Sequence, residues 1–151
     1  MNLTNKGKYA LTAILDLAVL DKNKRYIKIS EVAERQSIPA QYLEQIFNKL
    51  KNEGLLYASR GPAGGFRLAK KSHSIRVGEV INAVEKPMDA TQCSGLGTCN
   101  AGTKCLAHDF WLELNANLNE FLMEKTLHDV LTKNDVLTKN VEVNNYYIVK
   151  G

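Results

Sequence analysis

Apolar residues recur at helical spacing through most of the first half of the chain. Leu3 and Thr4 open the first such pattern, with Thr4 placed to cap it and Ala10, Ile14, Leu17 and Ala18 on one face. Asp21–Arg25 reads as a charged turn and Tyr26–Ile29 as a short extended piece. Ser30 is then expected to cap a short helix, Glu31–Gln36, with Val32 and Ala33 inward. Ser37 and Ile38 make a turn, and Pro39 takes the first position of a third helix that runs to about Glu53. In that helix Leu43, Ile46, Phe47 and Leu50 fall at i, i+3, i+4 and i+7, while Gln41, Glu44, Gln45 and Asn48 occupy the other side. Gly54 stops it.

The pattern then changes period. Leu55–Ser59 and Phe66–Ala69 are short strand-like runs around Arg60-Gly61-Pro62-Ala63-Gly64-Gly65, which predicts a β-hairpin. The glycine run lacks the Lys-Ser/Thr ending of a phosphate-binding P-loop and opens no helix. Helix, turn, amphipathic helix and hairpin in this order describe a winged helix-turn-helix domain. The second helix offers Gln41, Glu44 and Gln45 to base edges, and the wing offers Arg60 and the backbone of Gly61, Gly64 and Gly65 to a groove of double-stranded DNA.

Beyond the polar connector Lys70–Ser74, Val77–Glu85 predicts a short helix with Val80, Ile81 and Val84 inward. The longest helix is expected at roughly Ala107–Thr126, with Trp111, Leu114, Leu118, Phe121 and Leu122 on one face and Glu113, Asn117 and Glu120 outside. Little chain remains to cover that stripe, so it is expected to pair with a second subunit, to pack on the chain's own winged domain, or both. The hexapeptide DVLTKN occurs twice in tandem, at 129–134 and 135–140, too few copies for a repeat architecture. The expected fold is mainly α with a small β-hairpin wing. A winged helix-turn-helix domain occupies 1–86, a ligand loop 87–108, a dimerisation helix region 107–131 and a polar tail 132–151.

Charge sharpens this division. Residues 1–86 carry fifteen Lys and Arg against eight Asp and Glu, whereas residues 87–151 carry five against eight. A basic front and a mildly acidic back suit a nucleic-acid-binding half joined to a sensing or pairing half. Lys6 and Lys8 before the apolar run Tyr9–Leu20 imitate a signal peptide, but Asp16 interrupts the run and no small-residue cleavage site follows. No stretch approaches the ~20 apolar residues of a membrane span. A cytoplasmic, non-membrane protein is expected.

All three cysteines and one of three histidines lie in Cys93–His108, spaced C-x5-C-x5-C-x2-H. The intervening Gly, Ser, Thr, Asn and Lys cannot build a core, so the four side chains read as ligands. Three thiolates and an imidazole complete a four-ligand set for zinc or an iron–sulfur cluster, and the spacing lacks the paired close knuckles of a zinc ribbon. His73 and His128 read as surface residues, and no His/Asp/Glu constellation outside the loop suggests an enzyme.

With these residues in place, the chain from about Met1 to Leu131 resembles the IscR-type iron–sulfur regulators of bacteria, a branch of a larger winged-helix repressor family. The resemblance is carried by LTNKGKYALTAILDLA, ERQSIPAQYLEQIF, RGPAGGF, VGEVINAVE and the Cys93, Cys99, Cys105, His108 set. It implies a homodimer with one [2Fe–2S] cluster per subunit on those four ligands, loaded by the iron–sulfur assembly machinery. It also implies repression of the cluster-assembly genes in the loaded state. Pro39-Ala40-Gln41 stands where well-known members have a more Ser-rich start, and Ala63 replaces a wing glycine. Two other readings share the fold. One is a nitric oxide or iron sensor with a four-iron cluster, whose N-terminal Asp ligand is met here by Lys8. The other is a DNA-binding protein with structural zinc.

Overall fold

The structure is a computed structural model that describes residues 3–133. The second DVLTKN copy and all of the tail beyond residue 133 therefore lie outside the described residues. Among those described, six α-helices and one antiparallel hairpin follow in the order α1 (Asn5–Val19), α2 (Ile29–Gln36), α3 (Ala40–Asn52), β1 (Leu56–Ser59), β2 (Gly65–Leu68), α4 (Val77–Val84), α5 (His108–Glu124) and α6 (Leu127–Lys133).

Thr4 caps α1 as its hydroxyl predicts, accepting the Lys6 N–H at 3.2 Å. The second helix begins two residues earlier than expected, and Ser30 is not its cap. The cause is Glu31, whose carboxylate reaches back to the Lys28 N–H at 3.0 Å and satisfies the helix start from inside the first turn. Ile29 is thus helical, and of the expected extended piece Ile27 alone pairs with the hairpin, bridging Phe66 through two 2.8 Å backbone hydrogen bonds. Ser37 turns the chain with φ 54°, and Pro39 stands just outside α3 as its N-cap rather than at its first position.

The apolar stripe of α3 is buried as its period demands: Leu43, Ile46, Phe47 and Leu50 are all at most 2% exposed. They join Ala10, Ile14 and Leu17 of α1, Val32 of α2, Leu55, Leu56, Leu68, Ile75 and Val80 in one core. Asp16 is the buried exception within α1. Arg35 donates Nη2 to its Oδ1 at 2.8 Å and Nε to its Oδ2 at 3.2 Å, and Gln36 Nε2 adds a third bond at 2.8 Å. A buried carboxylate paired on both oxygens ties α1 to α2, and removing one partner of such a pair costs about 3–5 kcal/mol.

The hairpin pairs Leu56 with Leu68 and Ser59 with Gly65. Arg67 fastens it to the loop after α1: its guanidinium lies 5.0 Å from the Tyr26 ring centroid and 5.7 Å from that of Tyr57, and Nη1 donates to the Lys24 carbonyl at 3.1 Å.

The chain returns to this core after α5. Val77 N–H donates to the Lys125 carbonyl at 2.8 Å and Leu127 N–H to the Ile75 carbonyl at 3.0 Å, seating Leu127 with no exposed surface. The long helix starts at His108 and ends at Glu124, one residue inside the expected start and two inside the expected end. Its apolar stripe divides. Leu114, Leu118 and Leu122 are half-buried and the helix packs on α4, while Trp111 and Phe121 are 36% and 55% exposed, and Phe110, outside the expected stripe, is 60% exposed. Gly78 permits the crossing, since a Cβ there would meet the Met123 side chain and the Leu122 backbone.

Candidate metal centre and nucleic-acid interface

The loop between α4 and α5 is built of tight turns, because its short polar residues leave backbone hydrogen bonding as the organising force. Leu96 N–H donates to the Cys93 carbonyl at 3.1 Å. Asn100 and Thr103 exchange backbone bonds of 2.8 and 2.9 Å around Ala101 and Gly102, both at positive φ, and this miniature hairpin separates Cys99 from Cys105. His108 N–H then donates to the Cys105 carbonyl at 3.2 Å as α5 begins.

These turns bring Cys93, Cys99 and His108 together, with their ligand atoms all within 4.8 Å of one another. His108 is 2% exposed and its Nδ1 lies 3.5 Å from both the Cys93 and the Cys99 sulfur. Cys105 lies beside the group rather than within it, and its backbone N–H donates to the Cys99 sulfur at 3.1 Å. The sulfurs meet different surroundings. Burial pushes the Cys93 thiol up, but the backbone N–H groups of Thr98 and Gly97, the Cys99 thiol and the Gly95 N–H outweigh it and bring it down to about 6. For Cys99 the Cys105 backbone N–H pulls downward, yet the Cys105 thiol, burial and the Cys93 thiol together raise it.

This donor chemistry fits a thiophilic metal or an iron–sulfur cluster. Two sulfurs and an imidazole converge with a third cysteine beside them, and backbone N–H groups point at sulfur, where they stabilise the negative charge of a coordinating thiolate. The positive end of α5 faces the same place.

The loop is also tied to α5 by side chains that spacing did not single out. Asp89 Oδ1 accepts from Asn115 Nδ2 at 2.8 Å and from the hydroxyl and N–H of Thr91 at 2.7 and 2.8 Å. The Thr91 side chain foremost, with its N–H and Asn115 adding to it, holds the Asp89 carboxyl below its ordinary range.

In the winged half, Gln41, Glu44, Gln45 and Asn48 are exposed along one side of α3. Arg60 is exposed where β1 runs into the wing turn. Gly61 has φ 96°, and a Cβ on Gly64 or Gly65 would meet the backbone of Ser59 or of Ile27. The wing therefore approaches its own scaffold closely where the sequence places glycine. Arg25 and Lys28, exposed beside the wing, were missed. Together with Tyr26, Glu31, Pro62, Ala63 and Gly64 they line an open cleft of about 560 Å³. Their signal in the sequence is the basic set Lys22, Lys24, Arg25 and Lys28, which spans the charged turn Asp21–Arg25 and the extended piece Tyr26–Ile29.

Comparison with known proteins follows the same lines. The Rrf2 family, described as iron-dependent transcriptional regulators, matches residues 3–133. A Vibrio parahaemolyticus protein named HTH-type transcriptional regulator IscR is 46% identical over 137 residues, covering 91% of this chain and 81% of its own. An Escherichia coli protein of the same name is 45% identical over 137 residues, 91% of this chain and 84% of its own. Among solved structures, T. potens IscR superposes with a TM-score of 0.71 at 27% identity, covering 89% of this chain and 88% of that one. The Bacillus subtilis cysteine regulator CymR gives 0.75 at 24% identity, covering 88% and 98%, and shows the shared fold.

Proposed function

This chain belongs to the Rrf2 family of iron-dependent transcriptional regulators, and we propose that Cys93, Cys99, Cys105 and His108 hold a [2Fe–2S] cluster that governs how its winged domain engages DNA. The observation that carries this reading is the convergence of Cys93, Cys99 and His108 within 4.8 Å, with the Cys105 N–H already donating to the Cys99 sulfur. Cys105 completes the set by a rearrangement of the short segment between the Asn100–Thr103 turn and α5. Bound there, the cluster supplies a centre whose occupancy follows iron–sulfur supply and oxidant.

The chain's own residues supply the rest. On DNA, α3 lies in the major groove with Gln41, Glu44 and Gln45 at base edges. Glu44 acts as a selector, because a carboxylate accepts from cytosine N4 and is repelled by phosphates and by the acceptor edge of guanine. Arg60 and the exposed turn at Gly61 enter the minor groove, while Gly64 and Gly65 let the wing pack tightly on its own scaffold and present that turn. The exposed Phe110 and Phe121 pair α5 with a second copy, which places two recognition helices about one helical turn apart on a pseudo-palindrome. Because the ligand loop opens α5, its ordering alters how the two winged domains are presented, a coupling typically worth about 1–3 kcal/mol. In this reading the loaded dimer represses cluster-assembly genes, and the assembly machinery is its cluster source.

Anaerobic purification followed by visible absorption, with iron and acid-labile sulfide analysis, tests the assignment. Charge-transfer bands with equal iron and sulfide are expected. A colourless protein that retains zinc would replace the sensor with a structural metal.

A further inference from the structure

Asn115 stands seven residues after His108, almost two full turns, so both side chains leave α5 on the same face. Its Oδ1 accepts the Ala90 N–H at 2.8 Å and its Nδ2 donates to Asp89 Oδ1 at 2.8 Å. A backbone N–H can only donate and a carboxylate only accept, so these partners dictate the orientation of the amide. From Asp89 the chain of bonds continues through the N–H and hydroxyl of Thr91, at 2.8 and 2.7 Å. Thr91 Oγ1 in turn accepts the Gly95 N–H at 2.8 Å, two residues past Cys93. The start of the ligand loop is thereby fastened to the same helix that carries the last ligand, and none of the bonds involves a metal donor.

We propose that Asp89, Thr91 and Asn115 form a metal-independent clamp that fixes Cys93 against His108, so that half of the ligand set stands in place before anything is bound. The positioning role rests on the reading of the loop as a cluster site; the clamp itself does not. With both ends fixed and Cys99 already beside them, mainly the segment that carries Cys105 is left to rearrange on loading, which lowers the entropy that binding must overcome. Outer residues that orient ligands typically change metal affinity by about 10–100-fold when removed. Asp89, Thr91 and Asn115 are positioning residues of this kind.

The test uses the full chain in two arms. In the metal-free protein, amide exchange read residue by residue should show Ala90, Thr91 and Gly95 exchanging well below their intrinsic rates. Asn115→Ala should abolish that protection, and Asn115→Asp should do the same by opposing two carboxylates. Asp89→Asn retains an acceptor oxygen and should keep the protection. The unfolding midpoints of all three should stay close to that of wild type, with at most a small loss in the Asn115 variants, because Asp89 and Asn115 lie outside the core cluster.

In the second arm, the reconstituted protein is exposed to air and its visible absorbance followed. Both Asn115 variants should lose absorbance at least about ten times faster than wild type, and Asp89→Asn close to the wild-type rate. Intrinsic exchange rates in metal-free wild type would overturn the clamp. Clamp-broken variants that decay as slowly as wild type would overturn the positioning role. A wild type that takes up no iron would sink the cluster reading, and the positioning role with it, while the metal-free exchange pattern still decided the clamp. The two failures are therefore distinguishable.

Discussion

The winged half and the ligand half of this chain are held by different forces. In the first, α1, α2, α3, the hairpin and α4 close around Phe47, Leu43, Ile14 and their neighbours, each with essentially no exposed surface. In the second, α5 is the longest helix, yet His108 is its only buried residue among those described, and Phe110 and Phe121 face solvent. The loop before α5 is held by backbone turns, the Asp89–Asn115 bonds and the grouped sulfurs. A core specifies itself by volume and hydrophobicity. Under the proposed reading, the other half would be completed by what binds it, an inorganic centre in the loop and a second copy on α5. That contrast suits the proposed regulator, whose reading head would keep its shape while its ligand half responded to supply.

The comparison breaks most readily in the core. Phe47→Ala should destabilise the chain by about 3–5 kcal/mol, read from urea unfolding, because the cavity under α3 cannot collapse against the elements packed around it. A loss below about 1 kcal/mol would mean that the winged half is not the rigid part. On the DNA side, Arg60→Ala should weaken operator affinity by about 1–3 kcal/mol at fixed salt without changing the unfolding midpoint. Unchanged affinity would remove the wing from the interface. Phe121→Ser touches only the second half. It should alter chain stability by less than about 0.5 kcal/mol and shift the sedimentation profile from dimer toward monomer. A variant that stays dimeric would mean that another surface pairs the subunits.

The smallest effect concerns pH. Hydrogen bonds from Thr91 and Asn115 depress the Asp89 carboxyl in the folded protein. Its stabilising contribution is therefore full at neutral pH and above the unfolded value near ~3.9, and is lost as pH falls through the lower folded value. A carbon-13 titration of Asp89 should show a midpoint below ~3.9, moving upward in Asn115→Ala. A midpoint at or above the ordinary value would contradict the bonding described.

The winged half was legible in the sequence wherever one period dominated. In α3 the stripe Leu43, Ile46, Phe47 and Leu50 is the buried face, and the hairpin ends fall within a residue or so of the glycines that predict them. The start of α2 was misread because Ser30 is a favoured cap, while the competing signal, Glu31 reaching back to Lys28, lies inside the helix. Asp16 was visible as a charge in an apolar run, but its partner Arg35 lies nineteen residues away. In the second half the spacing announced a ligand set and nothing more. It carried no sign that Asn115 would hold Asp89 across twenty-six residues, or that Cys105 would sit outside the close group. Contacts of that range depend on the assembled fold, which a local period does not encode.

Cys99→Ala tests the central claim most directly, because it removes a proposed ligand without touching the core. Iron and sulfide per chain after anaerobic reconstitution should be measured beside the urea unfolding midpoint of the metal-free protein. Wild type should hold about two irons and two sulfides per chain, and the variant almost none. The two midpoints should coincide within error. An unfolded variant would make the loop part of the structural core, and a variant that retains the wild-type iron content would show that the cluster is held elsewhere.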